Sequence, residues 1–129
     1  MEKRIINPWN WQDERHYVQA IEVTKVQGTL YCSGQAAILP DGTPSTADMK
    51  TQFLMATENL EQVITEAGYE TKNIVRLTIY TTAHDEFFTN LDTLGEWVKK
   101  NDIKSAVSAI EVNTLTGTLK IELEATVVK

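Results

Sequence analysis

Alternating apolar and polar residues mark five stretches of the chain as strands. The segment from 74 to 82, IVRLTIYTT, places Val75, Leu77 and Ile79 on one side of a strand. β-Branched and aromatic residues at a period of two are typical of a strand with one buried face. Similar runs predict strands in HYVQAIEV, TLYCSGQA, SAVSAIEVN and TLKIELEATVV.

Two further segments show the three- and four-residue apolar spacing of helices. Ser45, followed three residues later by Asp48, predicts the start of the first helix. Gly68 predicts its end, because glycine adopts the left-handed conformation that commonly follows a helix. The second helix is predicted from Asp85 to Lys100. The expected buried stripes are Phe53, Ala56, Leu60, Val63, Ile64 and Ala67 in the first helix, and Phe87, Phe88, Leu91, Leu94 and Val98 in the second.

The predicted order of elements is ββαβαββ, with TKVQG and TLTG as the turns of two hairpins. This order is typical of an α+β fold, in which two helices cover one face of a mainly antiparallel sheet. At 129 residues the chain is long enough for one core, so we expect a single domain over 1–129. The second face of the sheet would need cover, and another subunit is the natural supplier.

Charge and composition argue against several classes of partner and site. The net charge of -6 opposes the cationic surface that phosphate backbones require, so no nucleic-acid partner is expected. No apolar run approaches the length of about 20 residues that spans a bilayer, so no membrane partner is expected either. A single cysteine, Cys32, and the lack of a signal-peptide pattern favour the cytoplasm. Cys32 lies in an apolar strand, and His16 and His84 are isolated, so neither a nucleophilic cysteine nor a metal site is indicated.

Several motifs occur together in a recognisable order. They are YVQAIEV, LYCSGQA, PDG, ENLEQVITEAG, IVRLTIYTT and IEV followed by LKIELEATVV. From about Tyr17 to Val128 the chain resembles the RidA/YjgF family, some members of which are labelled endoribonuclease L-PSP. The resemblance implies a chorismate-mutase-like fold assembled as a homotrimer, with ligand clefts between subunits. Active members hydrolyse reactive enamines and imines to 2-oxo acids and ammonia without a metal or cofactor.

The resemblance also implies roles for particular residues. Tyr17 matches the tyrosine of the cleft, and Ser33 and Gly34 match the loop whose backbone contacts the ligand. Glu122 matches the glutamate that positions or activates the attacking water. From the pattern alone a solvated strand face is the favoured interpretation of Glu122, because charged residues alternate with aliphatic ones along this strand. The resemblance reverses that preference.

The chain departs from the family at the substrate clamp. Active members read Pro-Ala-Arg-Ser-Cys where this chain reads Ser-Ala-Val-Ser-Ala, so Val107 replaces the arginine that binds the substrate carboxylate and Ala109 replaces the cysteine. An isopropyl group cannot imitate a bidentate guanidinium. Arg76, Lys104 or Lys120 are the candidates for a replacement cation.

Three functions remain open from the sequence. The first is a trimer that binds a small molecule in intersubunit clefts, without the standard 2-imino acid deaminase activity or with an altered substrate. The second is an active enamine/imine deaminase with a replacement cation, and the third is a non-enzymatic regulatory module. Ribonuclease activity is a weaker fourth, because the chain is acidic and shows no catalytic cluster of histidines or lysines.

Overall fold

The computed structural model describes residues 1–129, and it confirms the predicted α+β architecture. It contains six strands, three helices and two short 3-10 turns, at Asp13–Arg15 and Thr71–Asn73. The sequence pattern does not predict the first strand. The elements are β1 Glu2–Ile6, β2 Ala20–Thr24, β3 Thr29–Ala36, α1 Met49–Glu66, β4 Ile74–Thr81, α2 His84–Thr89, α3 Leu91–Lys100, β5 Ala106–Glu111 and β6 Ile121–Val128.

The strands form two sheets, a pair made by β1 and β2 and a four-stranded sheet in the order β3-β6-β4-β5. Strand β6 runs antiparallel to both of its neighbours, whereas β5 runs parallel to β4. Both predicted hairpins are therefore wrong: β2 pairs with β1 rather than β3, and β4 lies between β5 and β6. A parallel pair requires a long crossover connection, which α2 and α3 provide between β4 and β5.

The TKVQG connection is not a hairpin turn because its backbone hydrogen bonds go elsewhere. The amide of Gly28 donates to the carbonyl of Lys129 at 2.9 Å, and the amide of Lys129 donates to the carbonyl of Gly28 at 3.0 Å. These bonds tie the start of β3 to the end of β6. The start of β3 is therefore paired with β6 and not with β2.

One hydrophobic core lies between the four-stranded sheet and the helices. Leu77, Ile79 and Leu123 point from the sheet into this core, where Phe53 and Leu60 of α1 meet them, all five fully buried. Burying a side chain of this size contributes about 1.5 to 3 kcal/mol. The helices cover one face of the sheet, as predicted.

Helix α1 begins three residues later than predicted. Its N-cap is Asp48, whose carboxylate accepts a hydrogen bond from the amide of Thr51 at 3.0 Å; Ser45 lies outside the helix. The C-terminal prediction is confirmed, since Gly68 is left-handed (φ +76°) and its amide donates to the carbonyl of Thr65. The predicted stripe is wrong at its end, because Val63 and Ala67 are exposed.

The second predicted helix is divided in two at Asn90. The backbone of this residue is not helical (φ -113°, ψ 21°), and its side-chain amide donates to the carbonyl of Glu86 at 2.8 Å. The break changes which side chains are buried: Phe88 is 42% exposed and Trp97 is buried. The indole N–H of Trp97 donates to Glu61 of α1 at 2.8 Å, which fastens α3 to α1.

The face of the four-stranded sheet that points away from the helices is called here the outer face. It carries polar side chains of β4 and β6, including Arg76, Tyr80 and Glu122, but also two apolar side chains on the flanking strands. Tyr31 is 79% exposed and Ile110 is 46% exposed. This face has no cover within the chain. No helix has the length and apolar character that crossing a bilayer requires.

Replacing Asp48 by alanine is expected to lower the free energy of unfolding near neutral pH, because α1 loses its N-terminal hydrogen-bond acceptor. The hydrogen bond from Thr51 lowers the pKa of Asp48. The stabilisation is therefore present above the unfolded-state pKa of about 3.9 and is lost as the pH falls through the lower folded-state pKa. Urea titrations at several pH values should show a difference between parent and variant that narrows in acid.

Ser45→Ala is the matched control for Asp48→Ala. It removes the acceptor for the amide of Ala47 but no ionisable group, so its effect on stability should not vary with pH. A destabilisation by Asp48→Ala that is the same at neutral and acidic pH would contradict the assignment of Asp48 as the charged N-cap.

Candidate ligand site

The predicted site residues fall into two groups on opposite faces of the four-stranded sheet. Glu122 of β6 pairs with Tyr80 of β4, while Val107 of β5 pairs with Leu77 of β4. Side chains alternate across a strand, so Tyr80 and Leu77 point to opposite faces and their partners do the same. A single chain therefore does not bring Glu122 and Val107 into one cavity.

On the outer face, Glu122 lies against Gly34. The pairing of β3 with β6 shifts register between Cys32 and Gln35, and this bulge carries Gly34 beneath the glutamate side chain. A Cβ atom at Gly34 would lie 2.6 Å from Cδ of Glu122 and 2.9 Å from its Cγ. A side chain at position 34 would therefore force the Glu122 side chain to move. The structure thus places Gly34 beside Glu122, with Ser33 next to it and exposed.

Tyr80 extends this group into what we call the acidic strip, made of Glu122, Glu124 and Tyr80. The phenol of Tyr80 donates to Glu124 at 3.3 Å. Burial raises the pKa of Tyr80, and the neighbouring carboxylates Glu124 and Glu122 raise it further. Tyr80 therefore stays protonated at neutral pH and remains a donor in the strip. The sequence analysis missed this residue, although its alternation on β4 opposite to Leu77 and Ile79 already put it on the polar face.

On the helix side of the sheet, Tyr17, Val107 and Ala109 line one small cavity, the apolar pocket, with a volume of about 60 Å³. Arg15 is the only charged residue in its wall. Val107 belongs to this wall because it packs against the core rather than reaching the outer face. The remaining lining residues are aliphatic or aromatic side chains of β4, α2 and α3, namely Ile79, Phe87, Phe88, Leu91 and Leu94.

None of the three predicted replacement cations reaches the apolar pocket. Arg76 lies on the outer face and donates to Ser108 at 3.2 Å, and Lys120 is paired with Glu86 at 2.8 Å. Lys104 lies in a separate cavity of about 440 Å³ and is 3.7 Å from Asp102. The cation that does line the pocket, Arg15, was missed; its only signal in the sequence is its place two residues before Tyr17.

The larger cavity of about 440 Å³ shares Tyr17 with the apolar pocket but is otherwise different in character. Its wall mixes both charge signs, with Lys99 and Lys104 facing Asp13 and Asp102. Of the predicted catalytic and ligand-binding residues it contains Tyr17 alone, together with Lys104, one of the predicted replacement cations. The chain holds no cluster of three or more histidine, cysteine, aspartate or glutamate side chains suited to a metal ion.

Cys32 is buried in β3 between the sheet and the helices. Burial raises the pKa of its thiol, which keeps the sulfur protonated and poorly nucleophilic. It packs as a small apolar side chain.

The contact between Gly34 and Glu122 is testable by a double-mutant cycle. Gly34→Ala is expected to lower the free energy of unfolding by about 0.5 to 1.5 kcal/mol, because the new methyl group forces the half-buried Glu122 side chain out of its present rotamer. The same substitution in a Glu122→Ala background should cost much less, since Cγ and the carboxylate are then absent. Equal costs in both backgrounds, measured by urea unfolding, would show that the two side chains do not compete for one space.

Comparisons with known proteins identify relatives over most of the chain. The model of the family described as Endoribonuclease L-PSP matches residues 10–129. A RutC family protein of Aquifex aeolicus strain VF5 is 31% identical over 113 residues, which are 88% of each chain. TdcF of Escherichia coli strain K12, named as a candidate reactive intermediate deaminase, is 24% identical over 114 residues, 88% of this chain and 86% of its own.

Solved structures give the same result for the whole chain. The crystal structure of YyfB from Yersinia pestis, a protein of unknown function in the conserved Rid protein family, superposes with a TM-score of 0.86 over 100% of both chains at 28% identity. The split arrangement of Glu122 and Val107 thus sits within a fold that the family shares. The chain belongs to the Endoribonuclease L-PSP family, the RidA/YjgF family of its sequence motifs.

Proposed function

We propose that the protein is a homotrimer that binds a small molecule in clefts between subunits and does not carry out the standard 2-imino acid deaminase reaction. The observation that carries the proposal is Val107 within an apolar pocket, where active members of the family have an arginine. The acidic strip and the apolar pocket are both exposed to solvent yet lie on different faces of one sheet. A second copy can bring its strip against the pocket of the first.

The proposed assembly follows from the fact that the acidic strip and the apolar pocket are two different surfaces of the chain. Because two different patches would meet, the contact is heterologous, and a heterologous contact forms a ring when the rotation between neighbouring subunits closes. The uncovered outer face, with exposed Tyr31 and Ile110, supplies apolar area for such a contact. A ring of three is the number that the family resemblance implies.

The lack of an arginine at position 107 disfavours binding of the standard 2-imino acid substrate. A hydrogen bond to a charged group contributes about 1.5 to 3 kcal/mol, and Val107 and Ala109 offer none to a carboxylate held at β5. Glu122 would at the same time repel a carboxylate brought near it. In the proposed cleft Glu122 positions a water molecule, Tyr17 contacts the ligand, and the backbone at Ser33 and Gly34 borders it.

Active deamination is the second candidate, because Glu122 is present and its side chain lies against the backbone of Gly34. In that reaction water adds to the imine carbon, the C–N bond then breaks, and a 2-oxo acid and ammonia leave. Glu122 would take a proton from the water and return it to the nitrogen. The name of TdcF, a candidate reactive intermediate deaminase, points in the same direction. A regulatory module that binds a ligand without turnover is the third candidate.

The activity test compares the parent protein with Val107→Arg on 2-aminoacrylate and its imine, generated in place by a dehydratase. We expect no acceleration by the parent and measurable hydrolysis by Val107→Arg, because the guanidinium restores the carboxylate clamp while Glu122 is unchanged. Val107→Met is the matched control for side-chain length without charge. Turnover by the parent that disappears in Glu122→Gln would instead establish the active deaminase.

The trimer is tested by the mass in solution, measured by light scattering over a range of concentrations. A mass three times the chain mass of 14.5 kDa is expected. A stable mass near that of one chain would remove the clefts and with them the proposed function. Cleavage of RNA by highly purified protein, abolished in Glu122→Ala, would also overturn the proposal.

A further inference from the structure

We infer that the larger cavity binds an aliphatic amino acid in its zwitterionic form. Its volume of about 440 Å³ lies within the range of roughly 300 to 1,000 Å³ that is typical of small-molecule sites. One chain supplies the whole wall, so the site is complete in a single subunit and needs no cleft between subunits. It is distinct from the apolar pocket, with which it shares only Tyr17.

The charged side chains of the larger cavity leave one cation and one anion without an ionic partner. Lys104 lies 3.7 Å from Asp102, so these two charges compensate each other. Lys99 and Asp13 also line the cavity, but neither of them forms an ion pair with any residue. Because these opposite charges lie in one wall without contacting each other, a molecule that carries both an ammonium and a carboxylate group can pair with each. A simple anion would be attracted by Lys99 but repelled by Asp13.

Apolar side chains form much of the remaining wall and define the rest of the ligand. Val18 and Ile103 are buried, and Val98 is half-buried beside them in the lining of the cavity. An aliphatic group placed against these three side chains is removed from water, which favours binding in proportion to the apolar area buried. One free cation, one free anion and an aliphatic surface together match an amino acid with an aliphatic side chain.

The walls of the larger cavity are held by strained and tied backbone. Of the three non-glycine residues with positive φ, two line this cavity, His16 (φ 66°) and Asp102 (φ 51°). Such conformations are costly and concentrate at ligand sites. The His16 ring packs on α3 at Gly95, where a Cβ atom would lie 2.6 Å from its Cε1 and Nε2 atoms. The amide of Val18 donates to the carbonyl of Ser105 at 3.0 Å, which joins the N-terminal wall to the start of β5.

The ligand class is tested by titration with L-leucine, followed by two-dimensional NMR. We expect the amide signals of Gly95 and Val98 in the larger cavity to shift more than those of Val107 and Ala109 in the apolar pocket. The reverse would place leucine in the apolar pocket and overturn the inference. Isoamylamine lacks the carboxylate of leucine and isocaproate lacks its ammonium group, so each should bind about tenfold more weakly. Binding of either compound as tightly as leucine would contradict the assignment of a zwitterion.

The two unpaired charges are tested separately by substitution. Lys99→Met and Asp13→Asn should each weaken leucine about tenfold in Kd, because each removes one charge-assisted contact. Lys100→Met and Glu14→Gln are the matched controls, since each removes the same charge from a neighbouring residue that does not line the cavity. They should leave the affinity unchanged. Equal weakening by a variant and its control would show an effect of net charge alone and would overturn the inference.

A conservative variant and the stability of the proteins complete the test. Lys99→Arg keeps the positive charge and should bind leucine nearly as well as the parent. Loss of affinity in Lys99→Arg equal to that in Lys99→Met would contradict a role for the charge. The altered side chains are all exposed, so each variant should fold, and thermal unfolding checks that it does.

The outcomes also separate this site from the proposed function. A monomeric protein that binds leucine at Gly95 and Val98 would refute the proposed clefts between subunits and support the site in the larger cavity. A trimer in which leucine shifts neither of these signals would refute the site and leave the proposed function intact.

Discussion

The rest of the structure depends on the position of β6 between β3 and β4. Because β6 pairs with a strand on each side, its alternation of side chains fixes what lies on both faces of the four-stranded sheet. Ile121, Leu123, Ala125 and Val127 enter the core against α1, while Glu122 and Glu124 are left on the outer face. A shift of one residue in this pairing would bury two carboxylates, so the hydrophobic core holds the register that presents the acidic strip.

The same pairing explains why Gly34 and Cys32 behave so differently although only one residue separates them. Cys32 lies in register with Ala125 and points into the core, where its thiol is protonated and enclosed. The bulge that follows turns the chain so that Gly34 lies beneath Glu122. A β-bulge changes the direction of side chains without ending the strand. Here it places the backbone of Gly34 against the Glu122 carboxylate.

Sequence patterns predicted most of the local structure but not the pairing of the strands. The alternation in IVRLTIYTT and the stripe from Phe53 to Ile64 identified β4 and α1, because burial imposes a period on each element separately. Which strands pair depends on contacts between distant segments, such as the backbone hydrogen bonds between Gly28 and Lys129. The spacing of apolar residues within one strand does not indicate such contacts. The break at Asn90 was missed for a related reason, since the apolar spacing continues through it.

For the candidate site, the family motifs located Tyr17, Gly34, Val107 and Glu122, but they did not tell which of these residues meet within one chain. Arg15 was overlooked because its relation to Val107 is a matter of tertiary structure: they come together only when the left-handed turn at His16 is placed on Gly95. No nearby sequence pattern connects these positions.

The separation of Val107 from Glu122 has a consequence for how such a protein can diverge. The two residues lie on strands with β4 between them, about 10 Å apart, and on different faces of the sheet. Substitutions at that distance act almost independently. Within one chain, a substitution at Val107 can therefore alter the apolar pocket and leave Glu122 and its contact with Gly34 undisturbed on the other face.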